Sequence, residues 1–325
     1  MAASARVVVF GSLNVDSTSY VASFPAPGET ILSWGFQVAL GGKGSNQAVA
    51  AHVAGAAVEL VARVGADAAG DFAVAALDRF GLPTGAIARE TDAPTGVAQI
   101  TVADSGENTI VVTGGANLAL TPAVVDAERD RIAAAVLVLT QGELPVATID
   151  RLAAVADEAG VRFMLNLAPP AGVAPETLAV ADPLVVNEHE ARAVGIGTDA
   201  AVATLEDWRS VAASAAGTVS RSVVVTLGSA GAVAASADGA WSVAAPSVTV
   251  VDTTGAGDGF TGTFAAFLAE GLPLSEALRI AVAAGALAVQ DRGTVGAYAP
   301  REAVLEAARR AAPERTAPAG GAAPA

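Results

Sequence analysis

A chain of 325 residues can hold one large α/β domain with an insertion, or two domains. Its net charge of −15 and lack of a basic run exclude a nucleic-acid partner, and the absence of cysteine excludes disulfides, thiolate metal sites and cysteine nucleophiles. The two histidines, His52 and His189, lack the setting that a zinc site or a Ser-His-Asp triad needs. Val7–Phe10 is too short an apolar run for a signal peptide, and no stretch reaches membrane-spanning length, so a cytoplasmic protein is expected.

The first predicted element is a short apolar strand over 6–10, of the kind buried on both faces of a parallel sheet. Gly11-Ser12-Leu13-Asn14-Val15-Asp16 follows, which places Asn14 and Asp16 just past a strand's carboxyl end, where open α/β sheets bind ligands. Residues 17–40 carry Pro25, Pro27 and Gly28 and read as short strands lying off the main sheet. Gly41-Gly42-Lys43-Gly44-Ser45-Asn46-Gln47 opens an alanine-rich helix to about residue 54. It is not a P-loop, because Gly44 stands where Ser or Thr must follow the lysine. Backbone amides and Asn46 there can instead meet sugar hydroxyls.

Strand and helix patterns then alternate: strand 58–64, helix 68–80, strand 86–90, a hairpin over 95–113, helix 122–134, strand 135–140 and helix 146–159. Strands 161–167 and 183–187, helices 188–194 and 204–216, and strand 222–227 continue the pattern, arguing a parallel sheet covered on both faces. Polar groups recur at strand ends: Glu143, Asn166, Asn187-Glu188-His189-Glu190, and Thr226-Leu227-Gly228-Ser229-Ala230-Gly231, a glycine turn usable as a hairpin or a phosphate cradle.

A β-branched run (Val248, Val250, Val251) predicts a strand before Asp252-Thr253-Thr254-Gly255-Ala256-Gly257-Asp258, which opens an apolar helix to about residue 270. A glycine turn into a helix leaves amides unpaired, and such an end attracts phosphate. Asp258 in the first turn can serve as a general base on a hydroxyl. Helices over 274–290 and 300–310 follow, and the Pro-, Ala- and Gly-rich segment 313–325 is expected to be a disordered tail after a single domain spanning 1–312.

Four motifs in this order and spacing (Gly11–Asp16, Gly41–Ala48, Asn187–Glu190 and Asp252–Asp258) resemble those of the ribokinase-like (PfkB) carbohydrate kinases over about residues 6–310. The resemblance implies a three-layer α/β sandwich with a mostly parallel central sheet and a small β-sheet lid from 17–40 and 95–113, which also dimerises the protein. It implies transfer of the ATP γ-phosphoryl group to O5 of ribose. Asp258 is then the base and Gly255, Ala256 and Gly257 the anion hole. Asn14, Asp16, Gly42, Lys43, Gly44, Asn46 and Glu143 bind the sugar. Asn187, Thr226, Gly228, Ser229, Ala230, Gly231 and Gly257 bind ATP, and Glu190 holds Mg²⁺ through water. Asp252 and Thr254, with groups at Ala288, Asp291, Gly293 and Ala297, hold an activating K⁺. Asp291 and Ala297 depart from the residues common in the family, basic and serine respectively, and Val282 near the adenine pocket offers no side-chain hydrogen bond. A sibling kinase for deoxyribose, fructose or a nucleoside, and a silent sugar-binding regulator, are the alternatives. A Rossmann oxidoreductase is not, since no Gly-x-Gly-x-x-Gly follows the first strand.

Overall fold

The computed structural model describes residues 6–199, 201–310 and the pair 314–315. Strand β1 (Arg6–Phe10) lies inside a large sheet, paired in parallel with β4 (Ala57–Gly65) on one side and β8 (Leu137–Gln141) on the other. Beyond β4 lies β5 (Ile87–Glu90); beyond β8 follow β9 (Arg162–Asn166), β10 (Ala181–Asn187) and β11 (Val223–Thr226), all parallel. The sheet ends antiparallel, through β12 (Ala232–Ser236), β13 (Gly239–Val243) and β14 (Glu314–Arg315). The rest of the expected tail lies outside the described residues.

Two apolar layers flank this sheet because successive side chains of a strand point to opposite faces. Val7 and Val9 join one core with Leu60, Phe264 and Ile280; Val8 and Phe10 join the other with Ile149, Leu152 and Val225. Helices α1 (Lys43–Val53), α2 (Ala68–Arg79), α9 (Ala256–Ala269), α10 (Leu274–Ala288) and α11 (Arg301–Arg310) cover the first face. Helices α3 (Pro122–Ala127), α4 (Arg129–Ala133), α5 (Val146–Glu158), α6 (Pro175–Val180), α7 (Glu188–Ala193) and α8 (Leu205–Ala215) cover the second. Among the described residues no helix is long and apolar enough to cross a membrane.

A second sheet of four strands, ordered β3-β2-β6-β7, stands apart: β2 (Asn14–Val21) pairs antiparallel with β3 (Gly35–Gly41) and parallel with β6 (Gly96–Ala103), which forms a hairpin with β7 (Asn108–Thr113). This is the small sheet expected from 17–40 and 95–113, starting three residues earlier, so Asn14 and Asp16 lie at its root. Other expectations need correction. Val248–Val251 forms no strand; Val250 and Val251 stand exposed, and the Val251 N–H bonds instead to the Val289 carbonyl at the end of α10 at 2.8 Å. The helix expected over 122–134 is two short ones, broken at Glu128, whose ψ of 13° leaves helical geometry. Strand β12 escaped the sequence reading because alanines carry little strand signal, and the burial that selects them is tertiary.

Helices α1 and α9 meet at closest approach through Gly262, where a Cβ would collide with the Gln47 carbonyl and the Ala50 side chain. Gly44 likewise sits against the backbone of Gly11. Gly262→Ala gains about 1 kcal/mol of helix propensity but incurs an overpacking cost of about 1–3 kcal/mol. The variant is expected to unfold at lower urea concentration than the wild type; equal or higher stability would show that the two helices can part freely.

Candidate active site

The site forms where the roots of the small sheet, the amino-terminal end of α1, the carboxyl ends of β8 and β9, and the start of α9 converge. Asn14 is buried, and its Oδ1 accepts a hydrogen bond from Asn117 Nδ2 at 2.7 Å. Asn117 Oδ1 in turn accepts from the Leu13 N–H at 2.9 Å. A backbone N–H can only donate, so the polarity of this chain is fixed and Asn14 Nδ2 remains free to donate. Asn117 was not singled out in the sequence; its role is visible only once residue 117 lies beside residue 14.

Asp16 lies opposite Ala39 across the β2–β3 pair, and its carboxylate occupies the space that a Cβ on Gly41 would fill. Its Oδ1 is buried without a partner. Burial, helped by the charges of Glu143 and Asp258, pushes its carboxyl up to about 6. Glu143 Oε2 accepts from the Ser12 hydroxyl and from the Lys43 N–H at 3.0 Å, tying the turn after β1 to the start of α1. Ser12 was another functional contact not anticipated. Lys43 Nζ lies 3.8 Å from Asp258 Oδ1. The Asp258 charge raises the lysine above its usual value, against the effect of burial, with Glu143 and Glu190 adding to the rise.

Asp258 is buried in the first turn of α9 and accepts from Asn46 Nδ2 at 3.0 Å and from Gln47 Nε2 at 2.8 Å. Asn46 Oδ1 is a second buried acceptor with no partner. Two buried, unpaired acceptors beside a free amide donor match the hydroxyl-rich edge of a sugar, whose O–H groups would satisfy them. Gly44 accommodates the backbone of Gly11, and its N–H reaches the Ser12 hydroxyl at 3.2 Å.

Gly255 caps α9 with φ of 75°, a left-handed geometry that glycine adopts without strain, and its carbonyl accepts from Tyr298 Oη at 3.2 Å. The Ala256 amide reaches Thr253 O at 3.3 Å, whereas among the described residues the Gly257 and Asp258 amides take no backbone partner. Ala256 and Gly257 also form the end of a cavity of about 550 Å³. Thr226, Gly228, Ser229 and Gly231 line another wall, with Val248, Val250, Val282 and Val289 making it apolar. Ala230 and Asn187, expected here, are not on its wall. Asn187 Oδ1 is spent capping α7 through the Glu190 N–H at 2.9 Å, and Glu190 Oε2 answers by accepting from the Asn187 N–H at 2.8 Å. Burial raises the Glu190 carboxyl, opposed by that hydrogen bond and by Lys43. The glycine turn after β11 forms a hairpin into β12 and also lines the cavity.

Behind the turn, Asp252 joins two loops: Oδ1 accepts from the Thr254 N–H at 2.9 Å and Oδ2 from the Gly293 N–H at 3.0 Å. Burial alone would raise this carboxyl, but the Gly293 and Thr254 bonds and nearby Arg292 together hold it below its usual value. Asp291 is exposed and Ala297 buried.

A family model described as pfkB family carbohydrate kinase matches residues 4–300. The chain is 35% identical to a ribokinase of Haemophilus influenzae, over 92% of this chain and 97% of that one. It is 36% identical to a ribokinase of Schizosaccharomyces pombe, over 89% and 93%. The structure of Arabidopsis thaliana ribokinase complexed with ribose and ATP superposes with a TM-score of 0.86 at 32% identity, covering 94% of this chain and 99% of that one.

Asp16 yields a prediction about stability. With a folded-state value of about 6 against 3.8, its ionised form costs the fold stability fully above pH 6, and that cost fades as pH falls from 6 through 3.8. Asp16→Asn is therefore expected to raise the melting temperature of the sugar-free protein at pH 8, to lose that advantage at pH 4, and to weaken sugar binding. An unchanged melting difference across that range would contradict the assignment.

Proposed function

The chain belongs to the pfkB family of carbohydrate kinases, and we propose roles for its residues in phosphorylating ribose with ATP. The protein is a ribose-phosphorylating kinase. Asp258 takes the proton from the primary hydroxyl at O5 as the γ-phosphoryl group transfers, giving ribose 5-phosphate and ADP. The observation that carries this is the position of Asp258: its carboxylate bonds to Asn46 beside the unpaired sugar-side acceptors, while the adjoining Ala256 and Gly257 end the 550 Å³ cavity. Sugar and nucleotide would thus meet across one helical turn.

Asn14, Asp16, Gly42, Lys43, Asn46 and Glu143 would hold the sugar. The amides of the Gly255–Gly257 turn, at the positive end of α9, would stabilise charge on the transferring group. Lys43 supplies positive charge close to the reacting carboxylate. Phosphoryl transfer asks mainly for such positioning and charge stabilisation.

Two cations fit the donors present. Glu190 keeps Oε1 free of hydrogen bonds from described residues, and a carboxylate of this kind would hold Mg²⁺ through water; the ion would neutralise phosphate charge. The all-oxygen set of Asp252, Thr254 and carbonyls near Ala288, Asp291 and Gly293, with Ala297 at the edge of the shell, would suit a hard monovalent ion such as K⁺. The bond from Gly293 to Asp252 brings the two loops together, so a cation there would stiffen the glycine turn.

The test is ADP release from MgATP with ribose, 2-deoxyribose, fructose and nucleosides, with and without K⁺. Ribose is expected to give the highest kcat/KM, and K⁺ to increase it. Asp258→Asn is expected to lower kcat by about 10²–10⁴-fold with ribose binding largely kept. Near-wild-type turnover in that variant would remove Asp258 from the base role, and preference for another acceptor would change the substrate.

The small sheet would close over the sugar and exclude water. It also carries exposed Phe36, Val38, Ile110, Val111 and Val112, an apolar surface that a homodimer would cover. Sedimentation at micromolar concentration is expected to give twice the chain mass, and a Phe36→Glu/Ile110→Glu variant half of that. A wild-type monomer would count against the dimer.

A further inference from the structure

Asp258 is held by a chain of buried amides that neither sugar nor nucleotide chemistry requires. Gln47 Nε2 donates to Asp258 Oδ1 and to Asn166 Oδ1, both at 2.8 Å. Asn166 Nδ2 donates to the Val185 carbonyl at 3.1 Å, and Gln141 Nε2 donates to Gln47 Oε1 at 2.9 Å. Gln47 and Gln141 are fully buried and Asn166 nearly so.

The polarity of this chain is fixed at its far end. A backbone carbonyl only accepts, so Asn166 presents Nδ2 to Val185 and Oδ1 to Gln47. Gln47 must then turn its Nε2 toward Asn166, and its second hydrogen reaches Asp258. Oε1 is left for Gln141, which completes its bonding. A flipped Gln47 would put oxygen against both Asn166 Oδ1 and the Asp258 carboxylate, three acceptors together. The main sheet, through β9 and β10, thereby dictates the orientation of a carboxylate on α9.

Resting on the assignment of Asp258 as base, we infer that Gln47 is a positioning residue for the transfer step, and that Asn166 acts through it. The neighbouring Lys43, 3.8 Å from the same Oδ1, provides charge but has a flexible stem. Gln47 has no such freedom because both hydrogens and the oxygen of its amide are engaged. Loss of this hold lets the carboxylate rotate away from the hydroxyl, which lowers the rate of transfer without removing any sugar contact.

The test measures kcat, ribose KM and melting temperature for Gln47→Met, Asn166→Leu, the double variant and Asp258→Asn. Gln47→Met keeps the volume and removes the donor. It is expected to lower kcat by roughly 10–100-fold with ribose KM within about threefold, and Asn166→Leu by less. The double variant is expected to be no slower than Gln47→Met alone, because one chain carries both effects. Wild-type kcat in Gln47→Met beside an inactive Asp258→Asn, or a rise in KM with kcat unchanged, or additive losses, would overturn the inference. Should Gln47→Met not fold, Gln47→Glu has the same shape and sets a carboxylate against Asp258; unaltered kcat there would overturn it equally. An active Asp258→Asn would refute the base assignment instead.

Discussion

The close crossing of α1 and α9 is the constraint on which this molecule depends. Gly262 lets the two backbones approach so that Asn46 and Gln47 on one helix reach Asp258 on the other. Gly44, against Gly11, sets α1 equally close to the end of β1. These residues are 212 positions apart in the case of Asn46 and Asp258, yet their bond is 3.0 Å. A methyl at the crossing would meet the Gln47 carbonyl and the Ala50 side chain on the helix that carries the bonds to Asp258, so packing and site geometry are one problem here.

The site also carries its own electrostatic cost. Glu143, Glu190 and Asp258 surround one lysine, Asp16 lies beside Glu143 and Asp258, and burial raises the carboxyls of Asp16 and Glu190. Ordinary cores avoid that arrangement, since unpaired charge and unpaired acceptors destabilise the fold. Here the oxygens of Asp16 and Asn46 stay buried and unpaired, an arrangement that the hydroxyls of the proposed sugar would relieve. Asp252 is the contrasting case: two backbone amides satisfy it, and it stabilises the loops behind the glycine turn.

Much of the fold was legible from local pattern. The apolar strands β1, β8 and β11, the hairpin β6–β7 and the helices α5, α9 and α10 announce themselves through period and turn residues. The run Val248–Val251 misled because a strand also needs a partner strand, and here the Val251 N–H bonds to the end of α10 instead. Ala232–Ser236 was silent because alanine becomes a strand residue through the space available to it.

The same division runs through the site. The sequence by itself determined the groups to which the proposed chemistry is assigned: the glycine turn with Asp258, the Gly41–Asn46 run, and Asn14 with Asp16, because glycine placement and strand-end polarity are local properties. Only the tertiary structure decided how those groups are held. Asn117 behind Asn14, Ser12 beside Glu143, and Gln47, Gln141 and Asn166 behind Asp258 lie on separate elements. A hydrogen bond is specified by distance and direction in space, which spacing along the chain does not encode until the helices and the sheet have packed.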